Sequence, residues 1–183
     1  DYFGKDFVLN DLTHDGGLTA IRIEGPTNSV DQRANRLSKE LGLLDQELSI
    51  LDSEQSNIFW SRTKNLEVFK SLKSNLLRIV LPMSETLQVI QKLKNFEIKY
   101  FIDWGGGLIW ASFDQLNTKI LSEIKDTVKK HQGYITLIKV EEDLKASADI
   151  FTIDPIKYKI SEKIKRSFDP KRIFNPGKMY TGI

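Results

Sequence analysis

The chain has no cysteine, only two histidines and five prolines in 183 residues, and no apolar run near the ~20 residues that cross a bilayer as a helix. The missing thiols exclude disulfides, thiolate nucleophiles and Cys-ligated metals. His14 and His131 stand in no H-x-H or H-E-x-x-H spacing and read as surface residues. No acidic cluster takes the place of His and Cys, so no metal site is expected. No signal peptide is visible, and together with the missing cysteines this suits a cytoplasmic protein.

What is present is ordinary for a globular domain: 40% hydrophobic and 28% charged residues. The net charge of +2 is unevenly placed. Lys157 to Lys178 carries eight basic residues against Glu162 and Asp169, a local +6 that leaves the remainder at −4. Such a stretch can bind nucleic acid, but no aromatic platform alternates with these lysines, and no nucleic-acid partner is expected.

Period-two alternation predicts strands over 18–24, 76–81, 98–102, 108–113 and 134–140, and a less distinct one over 47–51. Helices are expected over 29–41, with Val30, Ala34, Leu37 and Leu41 on one stripe, and over 55–72. Two more follow, one capped by Ser84 and one starting at Asp114 and presenting Leu116, Ile120, Ile124 and Val128. From residue 76 to 140 the order is β-α-β-β-α-β. The fold class is therefore α+β: a ferredoxin-like unit extended by an N-terminal βα unit, an antiparallel sheet with helices mainly on one face, and a C-terminal helix and tail. That helix opens at Asp154-Pro155 and carries Ile156, Ile160, Ile164 and Phe168 on one apolar face. Asp169-Pro170 ends it.

The Gly105-Gly106-Gly107 run leads into a strand, not a helix N-terminus, so a hairpin turn needing positive φ accounts for it better than a phosphate cradle. In the tail, Pro176 is expected to hold Asn175 extended, and Gly177 to permit a turn or close backbone approach.

The run Phe168-Asp169-Pro170-Lys171-Arg172-Ile173-Phe174-Asn175-Pro176-Gly177-Lys178 resembles the closing motif of FAD-linked oxidases of the vanillyl-alcohol-oxidase type. Within that family the chain is most similar to glycolate oxidase E subunits. Ile21 to Gly25, Phe59-Trp60, the strand Leu77 to Pro82 and the hairpin Ile102 to Gly106 resemble segments of those subunits in the same order. The resemblance implies a substrate or cap domain over 18–153, a C-terminal helix and tail over 154–183 returning toward a flavin domain, and a linker remnant over 1–17. It implies FAD, bound mainly by an upstream domain, with Asn175, Pro176, Gly177 and Lys178 near the isoalloxazine. A cation there would stabilise the negative charge of the reduced ring.

The implied reaction is flavin-dependent oxidation of glycolate or a related 2-hydroxy acid, with the chain inactive alone. The implied partners are the upstream FAD-binding domain and other glycolate oxidase subunits, which could hold the protein at the inner face of a membrane. The chain begins at Asp1 and contains no Gly-rich pyrophosphate-binding segment, so an upstream flavin-binding region is expected. No catalytic base stands out. Two alternatives stay open: the tail is a Pro/Gly-shaped chain end without a ligand, or the chain is a non-catalytic interaction module of the same oxidase.

Overall fold

The computed structural model describes residues 5–10, 18–41, 48–69, 75–147, 149–152, 154–178 and 180. They divide into two compact units, Asp1–Val68 and Phe69–Ile183. His14 lies outside the described residues, as does the end of the helix expected over 55–72.

In the first unit, β1 (Lys5–Asn10), β2 (Leu18–Ile23) and β3 (Leu48–Leu51) form an antiparallel sheet in the order β2-β1-β3. β1 lies within the segment read as linker. The N-terminal strands thus build a sheet of their own instead of adding to the second one. β1 pairs on both edges, with Phe7 opposite Ile21 on one side and Ile50 on the other, which leaves β2 and β3 as edge strands. Helix α1 (Thr27–Glu40) buries Val30 and Ala34. It starts two residues earlier than expected because the Pro26 carbonyl already accepts from the Ser29 and Val30 amides at 2.9 and 3.0 Å. Helix α2 (Ser53–Lys64) opens on a capping box: Asp52 accepts from the Gln55 amide at 2.9 Å, and the Gln55 side chain accepts in return from the Asp52 amide. It stops at Lys64, short of the expected end, because Leu66 turns left-handed (φ 55°) before a 3₁₀ turn at Glu67–Phe69.

The second unit holds the expected β-α-β-β-α-β order. It runs β4 (Asn75–Val80), α3 (Thr86–Leu93), β5 (Ile98–Asp103), β6 (Leu108–Phe113), α4 (Thr118–Lys130) and β7 (Tyr134–Lys139). The sheet order β5-β6-β4-β7 is antiparallel throughout and ferredoxin-like. Alternate residues of the strands face the helices. Leu77, Ile79, Ile109, Ala111, Ile135 and Leu137 meet Val89, Ile90 and Leu93 of α3 and Leu121, Ile124 and Val128 of α4 in one core. Ile79 is wholly buried, and hiding one such side chain is worth about 2 kcal/mol.

Two helix starts differ from the sequence reading. Ser84 does not cap α3; it sits inside a 3₁₀ turn, Met83–Glu85, that follows Pro82 and feeds directly into the helix. Asp114 does not start α4, because Asn117 is extended and its side-chain oxygen accepts from the Ile120 amide at 2.9 Å. Of the expected stripe Ile124 and Val128 are buried and Ile120 packs half-buried against the core, with Leu121 buried beside it and Leu116 buried ahead of the helix. A short helix the sequence did not signal, α5 (Glu142–Ser147), follows β7. Phe151 then bridges back to Thr136 on β7 before α6 (Pro155–Phe168).

Candidate functional site

The tail's geometry begins with the ends of α6. Asp154 caps the N-terminus, accepting from the Ile156 and Lys157 amides at 2.9 and 3.0 Å, with Pro155 as the first helical residue. At the other end Asp169 does more than stop the helix. Its carboxylate accepts from the Ile173 and Phe174 amides, each at 2.9 Å, and pairs with the Lys165 ammonium at 2.7 Å. Lys165 also donates to the Phe174 carbonyl. Asp169 and Lys165 are largely enclosed, so these bonds form away from competing water. The Lys165 hydrogen bond, with the two amides, pulls the Asp169 carboxyl down to about 2.

Beyond this knot the chain makes a turn. Arg172, Asn175 and Gly177 are left-handed at φ 52°, 46° and 68°, and the Lys178 amide donates to the Asn175 carbonyl at 3.2 Å. Asn175 is therefore not held extended by Pro176. A residue before proline is driven out of the right-handed helical region, and asparagine can escape to the left-handed one. A Cβ on Gly177 would meet nothing within 4 Å, so its requirement is the positive φ, not space. Tyr180 closes the segment, buried against Phe151 and Tyr158 with ring centroids 6.0 Å from each. Burial, with Asp149 nearby, pushes the Tyr180 hydroxyl pKa up.

The structure thus brings Asn175, Pro176, Gly177 and Lys178 together in one exposed loop pinned on either side by Asp169 and Tyr180. The loop presents an amide and an ammonium outward, a donor set suited to the polar edge of a planar anionic ring. The sequence reading missed the role of Asp169. Its signal was an Asp-Pro pair followed by amides four and five residues on, which an Asp side chain can gather.

The glycine hairpin is a 3₁₀ turn at Trp104–Gly106, with positive φ at Trp104, Gly105 and Gly106, as a turn reading requires. Asp103 caps it through the Trp104 amide at 2.7 Å. Exposed Trp104 stacks under the Arg78 guanidinium, whose carbon is 5.0 Å from the ring centroid. Arg78 is half-buried and sits in register with Trp110, which in turn pairs with Phe101 of β5. Among the described residues Arg78 has no acidic partner, so the site holds a cation framed by aromatic rings.

His131 is not a surface residue. It is buried where α4 ends, with Nδ1 2.6 Å from Glu85 and Nε2 2.9 Å from the Lys92 ammonium. Lysine can only donate, so Nε2 accepts and Nδ1 carries the proton given to Glu85. The cluster ties the start and end of α3 to the end of α4. A shallow depression in the first unit, lined by Asn57, Ile58, Ser61, Arg62 and Glu67, contains none of the predicted site residues. Among the described residues no group of three His, Asp or Glu side chains is placed to hold a metal, and no helix is long and apolar enough to cross a membrane.

No protein-family model matches the chain. It is 26% identical over 166 residues to the glycolate oxidase subunit GlcE of Escherichia coli strain K12. The aligned part takes up 89% of this chain but spans only 39% of that relative's length. The likeness is that of a distant relative.

Proposed function

We propose that the chain is the substrate-side part of an FAD-linked 2-hydroxy-acid oxidase subunit, acting on glycolate or a close analogue and inactive without a flavin-binding region. The observation that carries this reading is the exposed Asn175–Lys178 loop pinned by Asp169 and Tyr180, in a chain that resembles a glycolate oxidase subunit. Accepting a hydride from the hydroxy acid is the chemistry FAD supplies when bound. This chain's part is to position and to polarise. Lys178 brings a positive charge, and Asn175 a donor and an acceptor, to a loop whose backbone is already fixed. Arg78, framed by Trp104 and Trp110, offers a cation for the acid's carboxylate. Docking with other oxidase subunits, in the cytoplasm, completes the proposal.

The test is to produce the chain in frame with its flavin-binding region and to measure flavin absorbance and glycolate-dependent dye reduction. The whole subunit should be yellow. Lys178→Gln should weaken FAD retention by about tenfold, the usual scale for losing one charge-assisted hydrogen bond. A colourless subunit, or a Lys178→Gln variant with unchanged FAD content and turnover, would sink the reading.

A further inference from the structure

Arg78 stands on β4 between Leu77 and Ile79, whose side chains belong to the core, so its own side chain lies on the sheet face away from the helices. It is half-buried, and among the described residues its guanidinium makes no hydrogen bond and no ion pair. A guanidinium carries five N–H donors, and covering them without acceptors is unfavourable. The Trp104 indole, its centroid 5.0 Å from the guanidinium carbon, attracts the charge but brings no oxygen to it. The fork of donors therefore stays open to an anion.

Trp104 reaches this position through a backbone that its side chain disfavours. Its φ is 56°, in the left-handed region that bulky residues avoid. Three bonds anchor the turn that imposes it. Asp103 accepts from the Trp104 amide at 2.7 Å, the Thr86 hydroxyl donates to the Gly106 carbonyl, and the Leu81 amide donates to the Gly107 carbonyl at 3.2 Å. The result is an indole 58% exposed beside an unpaired cation. Strain that presents an aromatic ring to solvent points to a use for that ring.

We infer that Trp104 is a specificity-determining residue: among 2-hydroxy acids the site takes those with an aryl side chain, the carboxylate on the Arg78 guanidinium and the aryl ring on the exposed indole. This inference rests on the proposed function and narrows the analogue of glycolate that it names. Two observations favour that class. A carboxylate supplies the acceptors that Arg78 lacks, in the bidentate geometry a guanidinium fits best. A flat apolar substituent covers an indole that glycolate, with no side chain, leaves in water. Trp110, in register with Arg78 and with its ring 6.5 Å from that of Phe101, continues the aromatic surface across the sheet.

Binding to the 183-residue chain tests this without a flavin. Titrations with 3-phenyllactate, glycolate and 2-phenylethanol are followed by NMR at the Trp104 indole N–H and the Arg78 Nε–H. Phenyllactate should shift both signals and bind about tenfold more tightly than glycolate, the scale of one aromatic pair. The alcohol, which has the ring but no carboxylate, should bind at least about tenfold more weakly than phenyllactate. Arg78→Gln should abolish the phenyllactate shifts. Trp104→Asn, whose side chain tolerates the left-handed backbone, should bring the affinity for phenyllactate down to that for glycolate. The Ile79 and Ile109 amide shifts report whether each variant keeps the fold.

Glycolate or 2-phenylethanol binding as tightly as phenyllactate overturns the inference. So do shifts centred away from Trp104, or none up to the solubility of the ligand. A folded Trp104→Asn variant that keeps the preference overturns it too. The subunit joined to its flavin-binding region separates the two proposals. A colourless subunit in which phenyllactate still shifts Trp104 keeps the aryl-acid site and removes the flavin reading. A yellow one with a higher kcat/KM for glycolate than for phenyllactate does the reverse.

Discussion

At Asp169 the Lys165 ammonium, the Ile173 amide and the Phe174 amide all converge on one carboxylate, and its pKa drops from 3.8 to about 2. A folded-state pKa below the unfolded one means that the stabilisation is complete above about pH 4 and is lost as pH falls through 2. Followed by NMR, the Ile173 and Phe174 amide shifts should therefore stay flat from neutrality to pH 4 and move with an apparent midpoint near 2. Asp169→Asn, which cannot ionise, should abolish that titration. A midpoint near the ordinary carboxylate value would show that the three-way contact does not persist in solution. That Asn175 to Lys178 contain a turn could be read from sequence because Pro and Gly punctuate them. Their left-handed backbone could not, because proline's restriction on its neighbour leaves two exits and only the surrounding hydrogen bonds choose between them.

At the scale of elements, period and punctuation carried the reading a long way. The four strands of the second unit and its helices α3 and α4 lie within a few residues of where alternation and four-residue spacing place them. Helix starts were less legible. Asn117 won over Asp114, and a 3₁₀ turn displaced Ser84, because several residues near each start could cap and tertiary packing selects the phase. The outward stripe of α6 was visible as a stripe, but periodicity says which residues share a face, not which way that face points.

The junction between α4 and β7 shows a subtler case. There Gln132, not the glycine that follows it, takes the positive φ, at 57°. The Gln132 amide bonds the Lys129 carbonyl and the Gly133 amide the Val128 carbonyl, which is a Schellman ending. What Gly133 supplies is room: a Cβ there would fall 2.7 Å from Val128 Cγ1 and 2.9 Å from both Leu81 Cβ and the Val80 carbonyl. Gly133→Ala should then destabilise the chain by about 1–3 kcal/mol through overpacking. Gln132→Gly should cost nothing there and relieve the left-handed strain. Urea denaturation of the two variants decides it, and a harmless Gly133→Ala would refute the crowding.

For the whole molecule, the division after Val68 determines which parts depend on which. All four strands of the ferredoxin-like sheet, the core built by α3 and α4, the His131 cluster and the pinned tail lie in residues 69–183. The first unit closes its own three-stranded sheet, with β1 in the middle and α1 and α2 packed on it. A sheet that is hydrogen-bonded within one unit and a core drawn from that unit alone need no outside strand to complete them. A piece spanning residues 69–183 should therefore fold, unfold in urea in one cooperative step, and keep the Ile173 and Phe174 amide shifts of the longer chain. The slope of that transition should be smaller than for the 183-residue chain, in proportion to the surface exposed. Sloping, non-cooperative unfolding of the piece would mean that the units stabilise one another. Retained tail shifts would place the candidate cofactor loop wholly under the control of the second unit, with Asp169 and Tyr180 enough to set it.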